Sequence, residues 1–85
     1  MLSRNITPAE REHMRRVKEL PCSVCDAAGP SEAHHIKQGD HWTVVALCQG
    51  CHTGPVNGWH GRRGMWRLKK MDELAALSVT LRRLG

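Results

Sequence analysis

The sequence predicts a small α+β domain, a two-stranded hairpin clasped at its base with a helix on either side. Three observations predict it. Four cysteines fall as two C-x2-C pairs, Cys22/Cys25 and Cys48/Cys51. Two short strand-like runs lie between the pairs, around a Gly39-Asp40 turn. Capped or amphipathic segments precede the first pair and follow the second. The 85 residues make a single domain, divided into an N-terminal helix over 1–21, a metal-clasped core over 22–60 and a basic helical segment over 61–85. With no Phe or Tyr and 3 Trp, the chain has little apolar bulk to bury. A domain this small needs a disulfide, a metal or a partner chain to hold it.

Each element has a local reason. Thr7, Pro8 and Glu10 read as an N-cap, a proline at the first helical position and a capping-box glutamate. Met14, Val17 and Leu20 give that helix a weak apolar stripe, and Pro21 stops it. Residues 22–25 form a tight turn; 26–31, with Gly29-Pro30, form a loop. Strands are expected over 32–36 and 43–47, the second richer in β-branched residues, with 37–42 as the turn. A short helical turn begins near Cys51, and Gly54, Pro55 and Gly58 prevent its continuation, so a loop carries the chain to His60. A short helix is expected over 64–69. The clearest helix covers 71–84, with Leu74, Leu77, Leu81 and Leu84 on one face and Asp72 and Glu73 in its first turn.

Zinc takes four ligands, and a C-x2-C turn offers two sulfurs at the right separation without straining the backbone. A hairpin over 26–47 brings both turns to the same end, so Cys22, Cys25, Cys48 and Cys51 are the expected ligands of a structural zinc. Such a closed site holds a fold and catalyses nothing. The rival reading is a thioredoxin-like redox pair, which needs one C-x2-C at a helix start in a βαβ context, and the sequence offers neither. No apolar run has the length of a membrane span, and MLSRNITPAERE lacks the apolar stretch of a signal peptide. The expectation is a cytoplasmic protein without a membrane partner, where thiols stay reduced.

The chain carries net charge +5 with histidines neutral. Much of the excess lies late, in Arg62, Arg63, Arg67, Lys69 and Lys70, with Arg82 and Arg83 beyond. A polyanion such as nucleic acid fits that pattern, with Lys37 at the hairpin turn as a further contact; a solvated basic surface is the plain alternative. Trp42, Trp59 and Trp66 can stack on unpaired bases or supply core; Trp59 and Trp66 suit the core, and Trp42 suits nucleic-acid contact.

Six histidines offer further metal ligands. His13 lies among helix charges and reads as solvated, and His41 at the hairpin turn is a candidate for touching substrate or metal. His34 and His35 are neighbours on a strand, so their rings point to opposite sides unless the strand bends there. His52 follows Cys51 directly, so both His34 and His52 are tethered near the cysteine clasp. They can either ligate a second ion or fill polar gaps around the first.

Taken together, Cys22-Ser23-Val24-Cys25, Ala33-His34-His35-Ile36 and Leu47-Cys48-Gln49-Gly50-Cys51-His52 resemble the HNH (ββα-metal) endonuclease family in its zinc-bearing, treble-clef-like subclass. The tail Thr53-Gly54, Gly58-Trp59-His60-Gly61 and Trp66 is similar to that of phage recombination-enhancing nucleases of the Ref type. The resemblance implies a zinc-stapled ββα-metal fold and metal-dependent hydrolysis of DNA phosphodiester bonds. It implies His34 and His52 as ligands of a catalytic divalent metal (Mg2+, Mn2+ or Zn2+) and His35 as the general base. It also implies DNA, single- or double-stranded, as substrate, a recombinase filament as a candidate partner, and the bacterial cytoplasm, with a phage or prophage source, as the setting. Two positions depart from the family pattern. Thr43 stands where many members have an asparagine that braces the base, leaving Thr43 or Asn57 to do that work. Val56 stands where many have a further ligand, and His60 is the substitute. Without those compensations the alternative is a zinc-stabilised nucleic-acid-binding module that does not cleave.

Overall fold

The computed structural model describes residues 6–85, and its elements begin where the local chemistry directs. Helix α1 (Pro8–Lys18) opens on the capping box: the Glu10 N–H donates to Thr7 Oγ1 at 3.1 Å, and the Thr7 N–H donates to Glu10 Oε1 at 2.9 Å. It stops two residues before the expected Leu20, because the Leu20 N–H turns back to Val17 O at 3.0 Å ahead of Pro21. Strands β1 (Glu32–His35) and β2 (Val44–Leu47) pair antiparallel, with Glu32 opposite Leu47 and His35 opposite Val44. Helix α2 (Gln49–His52) follows at once, capped by Cys48. Helices α3 (Gly64–Leu68) and α4 (Glu73–Leu84) complete the described residues. The described residues thus form a small α+β unit of one two-stranded sheet and four helices.

The hairpin is covered on both faces, which is why Val44, Val45, Ala46 and Leu47 all have zero exposure. Val44 and Ala46 meet Val17 of α1, with Met14, Leu20, Ala33 and Leu84 around them. Val45 and Leu47 meet Cys22, Val24, Cys51, Trp66 and Ala76 on the other face. The pleat therefore sorts the first strand: Glu32 and His34 lie on the cysteine side, Ala33 and His35 on the α1 side.

The outer edge of β2 is closed by side chain and turn rather than by a third strand. Ser23 N–H donates to Ala46 O at 2.8 Å, and Ala46 N–H donates to Thr80 Oγ1 at 3.2 Å. Thr80 also donates to Ala76 O at 3.0 Å and takes the Ser23 hydroxyl proton across 2.7 Å. That hydrogen-bonded seat fixes the rotation of α4. Its buried residues are Ala76 and Thr80, while Leu74 and Leu81 are 71% and 47% exposed. The leucine face read from the periodicity meets the core only in part: Leu77 and Leu84 pack at its margin, while the small residues Ala76 and Thr80 make the closest approach to the strand edge.

Candidate metal centres

Cys22 and Cys25 come from the turn after α1, and Cys48 and Cys51 from the start of α2. The first turn is tied by Cys22 N–H to Ala27 O at 2.8 Å and Asp26 N–H to Cys22 O at 3.0 Å, with Asp26 left-handed at φ 65. All four cysteines are free, and their sulfurs lie within 4.8 Å of one another. Cys25 Sγ and Cys48 Sγ are 3.6 Å apart. Tetrahedral zinc with Zn–S near 2.3 Å sets its sulfurs about 3.8 Å apart, so this cluster can hold a zinc ion. Burial raises the Cys22 thiol, but N–H groups of Cys25, Cys48 and Val24 aimed at the sulfur outweigh it and leave the thiol below its usual value. Burial and the neighbouring sulfurs push Cys51 far up. Four such groups need a cation to be thiolates together.

A second cluster stands beside the first. His34 leaves β1 on the cysteine side, His52 ends α2, and His60 comes from the loop beyond; one ring nitrogen of each lies within 4.8 Å of the other two. Ring centroids are 5.0 Å apart for His34–His52 and 5.3 Å for each of the other pairs. The loop that returns His60 folds on its own backbone. Gly58 N–H reaches Gly54 O at 3.0 Å, Trp59 N–H reaches Cys51 O at 2.9 Å, and His60 N–H reaches His52 O at 3.2 Å. Only glycine fits the closest approach: a Cβ at Gly58 would stand 2.5 Å from Gly54 O, and one at Gly61 would strike the same oxygen. Val56 is 59% exposed and takes no part.

Two carboxylates unforeseen in the sequence complete the cluster. His34, 4% exposed, donates from Nε2 to Glu73 Oε2 at 2.6 Å, and His52 donates from Nδ1 to Glu32 Oε1 at 2.7 Å. Burial holds the His34 imidazole below its usual value against the opposing pull of Glu73. Sequence could have hinted at Glu32, two residues before His34 on the same strand face; nothing local points to Glu73.

His35 is the last residue of β1 and lies on the other side of the strand. Its Nε2 is 3.0 Å from His41 Nδ1, and burial, followed by His41, lowers its pKa. Neither residue proposed to brace it does so. Thr43 Oγ1 is buried with no hydrogen-bond partner, and Asn57 Oδ1 sits against Gly64. The bracing contact comes from His41 instead. His13, read as solvated, has Nε2 3.1 Å from Trp42 O, and its ring packs on Trp42.

The basic residues divide. Arg62, Arg67, Lys69, Lys70 and Lys37 are exposed, and their side chains make no hydrogen bond or ion pair among the described residues. Arg63 is also exposed, but its side chain is engaged, with the guanidinium 3.6 Å from the Trp59 ring centroid and Nε donating to Trp59 O at 2.6 Å. Arg83 donates to Cys22 O at 3.2 Å and to the Asp26 carboxylate, fastening the end of α4 to the cysteine turn. Trp66 is buried, donating Nε1–H to Cys51 O at 2.9 Å, Trp59 packs against it, and Trp42 is half exposed. No helix among the described residues is long and apolar enough to cross a membrane. No family model matches the chain, nor does any curated protein or solved structure.

Proposed function

We propose that the protein is a metal-dependent endonuclease of the HNH type, hydrolysing DNA phosphodiester bonds. One observation carries the reading: three imidazoles from three separate segments converge within 4.8 Å beside a four-cysteine cluster. Three protein ligands leave room for water or substrate at a divalent ion, the arrangement of catalytic rather than structural sites. An all-imidazole set suits Zn2+, Ni2+ or Co2+ better than Mg2+, which prefers carboxylate and water oxygens. Such an ion, when bound, supplies charge neutralisation at the scissile phosphate and the leaving oxygen.

The residues of the chain do the rest. Held neutral at pH 7 by its lowered pKa, His35 can accept a proton from the attacking water. His41 Nδ1 lies 3.0 Å from His35 Nε2 and holds the His35 ring in place through that hydrogen bond. Arg62, Arg67, Lys69, Lys70 and Lys37 hold the phosphate backbone without reading sequence. The likeness to phage recombination-enhancing nucleases makes a recombinase filament the partner to include.

A zinc-stabilised DNA-binding module is the second reading, favoured by the position of His35 across the strand from the histidine cluster. A plasmid-nicking assay separates the two. Wild type should nick with Zn2+, Ni2+, Co2+ or Mn2+ on duplex or single-stranded DNA, and His35→Ala should lose about 100-fold or more, the usual share of a general base. Equal cleavage by both removes His35 as base. No cleavage by either, with and without a recombinase filament, leaves the binding module.

A further inference from the structure

We infer that Glu73 and Glu32 are positioning residues of the histidine centre, and that they direct a divalent cation to Nδ1 of His34 and Nε2 of His52. The inference rests on reading the three histidines as a metal centre and adds which atoms bind and what aims them. A neutral imidazole carries one N–H and one lone pair. Glu73 Oε2 stands 2.6 Å from His34 Nε2, so that nitrogen carries the proton and Nδ1 keeps the lone pair. Glu32 Oε1 stands 2.7 Å from His52 Nδ1, so there the lone pair is on Nε2. Carboxylates placed behind ligating imidazoles fix tautomer and ring angle and raise the basicity of the coordinating nitrogen.

The placement favours aim over direct ligation. The atoms that converge within 4.8 Å belong to His34, His52 and His60, and neither glutamate joins them. Two carboxylates behind neutral imidazoles also match the charge of one divalent ion, so the occupied centre is neutral as a whole. The glutamates arrive from different elements, Glu32 from β1 and Glu73 from the first turn of α4, so the C-terminal helix becomes part of the centre. The His60 ring has no carboxylate partner among the described residues; it is placed by its backbone hydrogen bond to His52 O and by packing against the His34 and His52 rings.

The test uses the full chain with its cysteines saturated by zinc, titrated with Co2+ and followed by the absorption of the histidine-bound ion. Glu73→Ala should weaken Co2+ binding about 10- to 100-fold, as loss of such partners typically does. Glu73→Gln, which still accepts the Nε2–H bond, should weaken it less, and Glu32→Ala should resemble Glu73→Ala. Zinc at the cysteines should stay at one equivalent in every variant, which separates these effects from misfolding. Nitrogen-15 spectra of the metal-free centre should show His34 protonated on Nε2 and His52 on Nδ1. The opposite tautomers, or Co2+ affinity unchanged in Glu73→Ala, would overturn the assignment. A wild type that takes up no Co2+ beyond the zinc would overturn it together with the metal-centre reading. Co2+ bound as expected by a protein that never nicks DNA would sink the nuclease and leave the positioning role standing.

Discussion

Replacing Thr80 with valine should damage this protein more than its small change in shape suggests. The Thr80 hydroxyl has one proton and two lone pairs, and all three are used: it donates to Ala76 O and accepts from Ala46 N–H and Ser23 O–H. Valine keeps the volume but strands two donors in a region where Thr80 has zero exposure and Ser23 is 4% exposed. Each stranded donor costs about 1–3 kcal/mol, so Thr80→Val should cost roughly 2–5 kcal/mol after the small gain from burying a methyl. Thr80→Ser keeps the hydroxyl and loses one methyl, costing about 1 kcal/mol. Thermal unfolding at fixed, saturating zinc measures both. For a domain of this length 1 kcal/mol moves Tm by about 4–8 °C, so valine should fall about 8–40 °C below wild type and serine about 4–8 °C. Valine as stable as serine would refute the claim that this hydroxyl closes the sheet edge. A double-mutant cycle of Thr80→Val with Ser23→Ala should show coupling, since the first strands the Ser23 hydroxyl and the second removes it.

Other outcomes follow from the two clusters. Stripping the cysteine cluster with a strong chelator should unfold the chain, seen as loss of helical circular dichroism: structural zinc contributes about 10–16 kcal/mol at pH 7, as much as a small domain's whole stability of about 5–15 kcal/mol. Cys48→Ser should fold poorly even in excess zinc. With zinc at the cysteines and no second ion, stability should rise with pH across the histidine range. The His34 pKa is lowered in the folded state, so the unfolded chain binds more protons between that lowered value and 6.5. Tm should therefore drop as pH falls through that window, and His34→Gln should flatten the profile. DNA binding should weaken steeply with salt, and Lys69→Ala with Lys70→Ala should reduce the slope by about one to two.

The parts written in local chemistry were legible before the structure. Thr7-Pro8 and Glu10 announced α1, the two C-x2-C pairs announced the thiolate cluster, and β-branched runs placed both strands within a residue of their ends. Features set by packing were not. The leucines of α4 are apolar at helical spacing whichever way the helix is turned, and its rotation is decided by one hydroxyl bonded to a strand 34 residues away in sequence. Glu73 reaches His34 across 39 residues and the His41 ring meets His35 across a turn, contacts no spacing rule contains. His60 could be suggested by the resemblance, but its return to His52 depends on backbone packing of Gly54, Gly58 and Gly61.

Helix α4 touches one cluster at each end, Glu73 against His34 and Arg83 against the carbonyl of Cys22. About 15 Å of rigid rod separates those contacts. Loading at one end therefore steadies the scaffold that the other end depends on. Binding free energies couple reciprocally, so if both clusters take ions, a cation at the imidazoles should raise the affinity of the cysteines for theirs by the same free energy it gains from it.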